Sequence, residues 1–420
     1  MVCRAEWFMQ RRKFLKTSLA VSTAILADGL TTASASWRRH HNYKFDEIIP
    51  REVLDNYLSR SICMEGLLNG RGDLSDNIGM LSRIGAKYIA RSICLWAGEA
   101  NLLQNFERAR QQIPQVRAAD PEMVLEACIF EIVTPAVEQV PVPDWAFTAL
   151  GLPVEKRNFR YEAILYPLAQ RRRSWGRHGG VPDVSQTETQ LWFYFLAASY
   201  IDLGFEGIHW GQVEIMNHND PHLDHYARVF ASARAYAKKH ARRGMILCNA
   251  HVPSGGLVRD GELLLDFHAF PLRVKETPEH PQQAVLQVGY RDSIFLRSKG
   301  GRTYSGWDCE HLPYFAELDN YGASRHPGEA GQGGDWVWGY DEISWFANQS
   351  KAYRADWLLS AWNWIRKTDS NGYLEMPGSR TETSPLNHHR WYSANAPSAG
   401  TPDGLDDEAA IRKIWKSDRI

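Results

Sequence analysis

A chain of 420 residues that is 44% hydrophobic and 23% charged has ample apolar material for a large core, which excludes a disordered or low-complexity protein. Its net charge of −1 and pI near 7.0 exclude a global field toward nucleic acid or anionic lipid, so recognition rests on local contacts. Sixteen Trp and seventeen Tyr supply flat amphipathic rings of the kind that suit a ligand with apolar faces and a polar rim, such as a sugar.

The N-terminus reads as an address. Arg11-Arg-Lys-Phe-Leu-Lys16 precedes a weakly apolar run, Thr17 to Leu30, and a small-residue site at Ala33-Ser-Ala35. This resembles a bacterial twin-arginine signal, so residues 1–35 are expected to engage the twin-arginine export machinery and deliver a periplasmic or extracellular protein. The run is too short and polar for a stable membrane span, and no later segment supplies one. Six Cys show no metal-ligand spacing, and four of them fall inside candidate strands as small buried hydrophobes.

From Trp37 to Tyr57 the chain is polar and is expected to pack outside the domain. Strand and helix patterns then alternate. Ser61–Leu68, Tyr88–Leu95 and Val124–Ile132 read as strands; Asp76–Ile84, closed by Gly85, and Leu102–Arg117 read as helices between them. A Pro-, Arg- and aromatic-rich insertion, 134–186, follows the third strand and is expected to lie over one end of the domain. An almost wholly apolar helix, Glu188–Leu203, leads into the fourth strand pattern, Gly204–Glu214. Period two puts Ile208, Trp210, Gln212 and Glu214 on one face, with polarity growing toward the strand end.

The amphipathic helix Leu223–His240 leads to a fifth strand, Met245–Asn249, followed by His251. A sixth, Leu263–Phe270, carries Asp266 and His268 on the face opposite its apolar residues. Ala284–Arg297 is a further strand candidate. Leu312–Gly322 and Asp335–Glu342 read as the seventh and eighth strands, Ser350–Arg366 as a final helix, and 367–420 as a turn-rich C-terminal extension. The expected fold is α/β: one (β/α)8 TIM barrel over 36–420, with the loop insertion after strand 3 and the C-terminal extension.

Strand ends then define the candidate chemistry: Trp96, Glu131, Glu214, His251, His268, Glu317 with Asp319, and Trp338 with Asp341 and Glu342. Acids and imidazoles at most ends of one barrel would converge on one mouth. Ile89-Ala-Arg91 with Trp96, Glu214 ending the fourth strand, Pro313-Tyr-Phe-Ala-Glu317 ending the seventh, and Trp338 resemble the clan of retaining (β/α)8 glycoside hydrolases. The resemblance implies Glu214 as acid/base, Glu317 as nucleophile, Arg91 holding Glu317 ionised and Trp338 flooring the sugar. Arg91, Trp96, Glu131, Trp210, Gln212, His251, His268, Trp338 and Asp341 complete the expected carbohydrate-binding set. Val213 stands where that clan has Asn, so either Gln212, His251 or Asn249 contacts the sugar's 2-hydroxyl or Glu214 has a different role. Glu310 and Asp319 compete with Glu317 for the second carboxylate. No cofactor is implied.

Two other readings use the same residues. Glu131, Glu214, His251 and Asp266 or His268 have the right types for a divalent cation in a sugar isomerase, epimerase or hydrolase, although no local metal motif accompanies them. A non-catalytic carbohydrate-binding barrel would keep the aromatic residues and do no chemistry.

Overall fold

The computed structural model describes residues 41–167, 175 and 179–418; the export-signal reading of residues 1–35 lies outside them. Eight parallel strand partners organise the rest: β1 (Ser61–Met64), β2 (Tyr88–Ile93), β3 (Val124–Cys128), β4 (Gly207–Gln212), β5 (Leu247–His251), β6 (His268–Pro271), β7 (Tyr314–Glu317) and β8 (Gly372–Leu374). Each pairs in parallel with the next in this order. One residue beyond β8, β9 (Met376–Ser384) pairs in parallel with β1, Ile62 against Met376. Only Glu375 separates the two partnerships, so the sheet curls round on itself in barrel-like fashion. The antiparallel strand β10 (His388–Ser393) extends β9 at the rim.

Helices fall between the strands. In chain order they are α1 (Arg51–Leu58), α2 (Leu74–Ile84), α3 (Leu102–Ala119), α4 (Asp144–Ala149), α5 (Tyr161–Ile164), α6 (Thr187–Leu203), α7 (Val213–Met216), α8 (Asp224–His240), α9 (Glu342–Ala347), α10 (Lys351–Thr368) and α11 (Glu408–Ser417). Local chemistry sets several of their ends. Asp73 caps α2 by accepting from Asp76 N, and Gly85 closes it at φ 80. Ser350 caps α10 in the same way through Tyr353 N. The apolar surface of α6 is buried nearly all round because α4, α5 and α8 pack on it in addition to α3. Among the described residues no helix is long and apolar enough to cross a membrane.

The polar leader to β1 has a different place from the one its composition suggests. Val53, Leu54, Tyr57 and Leu58 of α1 join Tyr88, Val124, Leu247, Phe267, Phe315 and Tyr373, each within one residue of the start of β2, β3, β5, β6, β7 or β8, in one buried cluster. The leader thus plugs the N-terminal end of the curled sheet; each large apolar side chain buried there contributes about 1.5–3 kcal/mol.

Three strand expectations need correction. Asp335–Glu342 forms no sheet strand: Trp338 adopts φ 51 in a turn, and Asp341 caps α9. The last parallel partner is instead the start of the stretch expected to be an extension, 372–384. Tyr373-Leu-Glu-Met376 alternates inward and outward, but Gly372, Pro377 and Gly378 made it look like a turn. Gly378 is needed there because a Cβ would press on Met64 and on Cys63 O across the β1–β9 seam. Of Ala284–Arg297 only Ala284–Val285 is extended, in a two-stranded ribbon with Lys275–Glu276.

Candidate active site

Two irregularities turn polar side chains into the C-terminal end of the sheet. The register between β2 and β3 slips between Ile89 and Ile93, and Arg91 sits there at φ 52. A left-handed arginine costs about 1–2 kcal/mol, and what it gains is an inward guanidinium. Arg91 Nε donates to Glu317 Oε2 at 3.0 Å and Nη2 donates to Oε1 at 2.5 Å, with His251 Nε2 3.3 Å from Nη2. In β4 the register slips around Gly211, at φ 59. A Cβ there would collide with the Glu131 carboxyl. Glycine lets that carboxyl accept from Gln212 N at 2.8 Å and Gln212 Nε2 at 3.0 Å.

Below this level the sheet's interior is a chain of hydrogen-bonded polar groups, in which His209 Nε2 has no partner among the described residues. Glu126 accepts from Tyr88 Oη at 2.6 Å, Asn249 Nδ2 at 2.5 Å and Arg91 N at 3.1 Å, and burial pushes its carboxyl up to about 6. Because Asn249 spends its amide N–H on Glu126, its oxygen accepts from His209 Nδ1 at 2.7 Å. Burial, followed by the charge of Arg91, keeps His209 well below its ordinary pKa and therefore neutral.

The carboxyls nearest the mouth divide into two kinds. Burial alone would raise Glu317, but Arg91 and Arg380 hold it well below the usual carboxylate range, with His251 in hydrogen-bond contact. Arg380, on β9, donates to Glu317 Oε2 at 2.9 Å, Asp319 Oδ1 at 2.9 Å and Asn320 Oδ1 at 2.7 Å. Asp319 follows the same logic: burial acts upward, Arg380, His251 and Arg91 together outweigh it, and the carboxyl lies below its ordinary value. Among the described residues no guanidinium pairs with Glu131, and burial prevails over its bonds from Gln212, so its pKa is raised. Glu375 lies deeper, raised well above the ordinary value by burial and by the charges of Glu317 and Glu126.

Above these groups lies a cavity of about 640 Å³. One wall is aromatic: the Trp96 ring lies 5.2 Å from that of Phe130 and 5.3 Å from that of Trp175, whose indole N–H donates to Glu131 O at 2.9 Å. Glu65, Glu131, Asp292, Asp319 and Asp335 contribute carboxyls to the lining, and Arg91, His251 and Arg273 contribute cationic or imidazole groups. Arg273 braces the far side by donating to Asp292 at 2.8 Å and Glu342 at 3.2 Å. In ring order β4, β5 and β6 separate β3 from β7 one way, and β2, β1 and the nearly continuous β9–β8 segment the other, so Glu131 and Asp319 approach the cavity from opposite sides.

Of the residues expected from sequence, Arg91, Trp96, Glu131, Gln212 and His251 line this cavity, and Glu317 lies directly beneath it bound to Arg91 and His251. Glu214 lies on α7, not at a strand end, and its carboxylate accepts from Ser254 N at 3.1 and 3.2 Å outside the lining. Trp210 faces away: fully buried, it packs on Phe193 and Phe230. The true inner face of β4 carries His209 and Gly211, and Gln212 joins it only because the bulge shifts the alternation. His268 is buried against Ser298 Oγ at 3.0 Å. Trp338 donates its indole N–H to Gln283 O at 2.8 Å, and Asp341, pushed up to about 7 by burial, accepts from the start of α9. Glu310 is exposed on its side chain.

The residues considered for a cation are likewise dispersed. Asp266 accepts from Arg234 and Cys248 N, each through Oδ2, while Glu214 and His268 are held as described. Among the described residues, one trio of ligand-type side chains converges, Cys63, Glu317 and Glu375; two guanidinium groups already occupy Glu317, a poor setting for a cation. Sequence reasoning missed Arg380, Arg273, Glu65, Asp292, Asp335 and Tyr321. Arg380 had one available signal, an arginine two residues after Gly378 in an alternating stretch.

No protein-family model matches this sequence, and no curated protein does. Solved structures that it resembles include the maltogenic α-amylase AmyB from Thermotoga neapolitana, at 9% identity and TM-score 0.33, over 51% of this chain and 50% of that one. The chain thus spans half the length of that amylase. The glycoside hydrolase domain of PelA from Pseudomonas aeruginosa matches at 12% identity and TM-score 0.32, over 79% and 96% of the two chains. A GH18 chitinase from Cycas revoluta, in complex with (GlcNAc)3, matches at 11% identity and TM-score 0.36, over 85% and 98%.

Proposed function

We propose that this chain is a glycoside hydrolase built on a (β/α)8 barrel, acting on a poly- or oligosaccharide by a two-carboxyl mechanism. One observation carries the reading: two carboxyls of opposite electrostatic bias, Glu131 raised and Asp319 lowered, face one aromatic-walled cavity from opposite sides. Glycoside cleavage needs that division, since the leaving oxygen requires a proton while the anomeric carbon requires a charged carboxylate or a water it has activated. Glu131 is the proton donor. Asp319 is the ionised partner, and Glu317 is the buried charge that fixes Arg91, Arg380 and His251 around it. Trp96 and Trp175 offer sugar-stacking faces.

This assignment moves the catalytic pair away from the Glu214 and Glu317 implied by the family resemblance, because Glu214 lies outside the cavity lining. Reducing-sugar release from a panel of polysaccharides tests both. Glu131→Gln and Asp319→Asn are expected to lose on the order of 10²–10⁴ in kcat, while Glu214→Gln stays near the unmodified rate. Loss in Glu214→Gln with Asp319→Asn unaffected would return the pair to Glu214 and Glu317. The anomer released first, followed by NMR, separates the retaining outcome of the resemblance from inversion. Sugar binding without turnover would leave a carbohydrate-binding barrel. Export is part of the proposal: residues 1–35 fused to a reporter are expected to reach the periplasm only in cells with a working twin-arginine pathway.

A further inference from the structure

Two cysteines distant in sequence meet under the aromatic wall. Ile93 of β2 is the register partner of Ala127 of β3, so the next residues, Cys94 and Cys128, stand side by side at the ends of neighbouring parallel strands. Adjacent strands lie about 4.7–4.9 Å apart, inside the roughly 4.4–6.8 Å Cα separation that a disulfide requires. Their side chains share one small apolar cluster with Phe130, Ile132 and Trp175. Cys94 lines the cavity and is half-buried, whereas Cys128 is buried. Both are free thiols.

We infer that Cys94 and Cys128 form a reversible redox pair, in which the cavity-facing Cys94 reacts first with a hydroperoxide and Cys128 resolves it to a disulfide. Burial pushes the Cys128 thiol up, and its contact with Cys94 acts in the same direction while Arg91 opposes it. Cys128 is therefore suited to the second step rather than to meeting an oxidant itself. In the first step the Cys94 thiolate attacks the peroxide; an S–O bond forms, the O–O bond breaks, and hydroxide leaves to be protonated to water. In the second, the Cys128 sulfur attacks Cys94; the S–S bond forms, the S–O bond breaks, and the departing hydroxide takes the Cys128 proton. Two thiols are oxidised, one peroxide is reduced and two waters are released. The bridge would tie β2 to β3 two residues before Trp96 and three before Glu131. The chemistry does not depend on glycoside hydrolysis.

The test treats the purified full chain with one equivalent of hydrogen peroxide, caps remaining thiols with N-ethylmaleimide, and digests without reduction for mass spectrometry. The expected product joins the Cys94 and Cys128 peptides, lighter by two hydrogens than their sum, and dithiothreitol returns both thiols. In Cys128→Ser, Cys94 is expected to stop at a dimedone-trappable sulfenic acid. The inference is overturned if Cys94 passes to sulfinic acid in the unmodified chain, if both thiols are recovered capped by maleimide, or if oxidation falls on the half-buried Cys309 alone. Should Cys128→Ser fail to fold, the cross-link in the unmodified chain decides by itself.

Discussion

Arg91 carries a backbone penalty and an electrostatic duty at once. Replacing it with alanine leaves Glu317 buried against fewer charges and keeps the φ 52 strain, whereas glycine removes the strain and the guanidinium together. Urea unfolding is therefore expected to show Arg91→Ala destabilised by about 3–5 kcal/mol and Arg91→Gly by about 1 kcal/mol less. Equal losses would mean that the left-handed turn is unstrained. Gly211 makes the complementary case, because its missing Cβ is the space that Glu131 occupies. On the proposed mechanism Gly211→Ala is expected to abolish sugar release by displacing Glu131, and it should cost roughly 1–3 kcal/mol in unfolding. Full activity in that variant would remove Glu131 from the mechanism.

At the scale of elements, the last strand makes the site as much as the strands that were legible. β9 closes the ring on β1 and delivers Arg380 to Glu317 and Asp319. Gly378→Ala presses a methyl group into the seam between β1 and β9, and thermal unfolding is expected to show a loss of about 1–3 kcal/mol; an unchanged Tm would mean that the seam opens without cost. The first seven parallel strands and the principal helices were readable because burial on both faces writes long apolar runs, and because Asp73, Gly85 and Ser350 mark helix ends. The β8–β9 stretch was hidden because Gly372 and Gly378 serve close packing instead of a turn. The faces of β4 were misread for a related reason: a bulge at Gly211 breaks period two, so alternation placed Trp210 inward when it packs on the helices. Glu131 was legible as an acid near a strand end, but its pairing with Asp319 depends on ring order, which no local pattern records.

For the molecule as a whole, two buried carboxyls set opposing pH trends. Glu317 has a folded pKa far below its unfolded value, so its stabilisation is present above the ordinary glutamate range and is lost as pH falls through the depressed value. Glu342, pushed up to about 8 by burial despite Arg273, holds in the native state a proton that the unfolded chain releases. Its effect has the reverse sign: stability declines as pH rises from the ordinary glutamate range to about 8. Glu342→Gln keeps an oxygen for Arg273 and is expected to flatten that decline, by a few kcal/mol at most, when denaturant midpoints are compared between pH 5 and pH 9. Unchanged slopes would show that Glu342 ionises normally. The β1–β9 seam also bears on how the protein is made. Ile62 meets Met376, and the plug beneath the sheet draws on residues from Tyr43 to Tyr373, so the interior cannot be sealed until nearly the whole chain has left the ribosome. Long-range closure of this kind is slow and leaves apolar strand faces open to other chains while it waits, which makes chaperone supply, more than intrinsic stability, the expected determinant of yield.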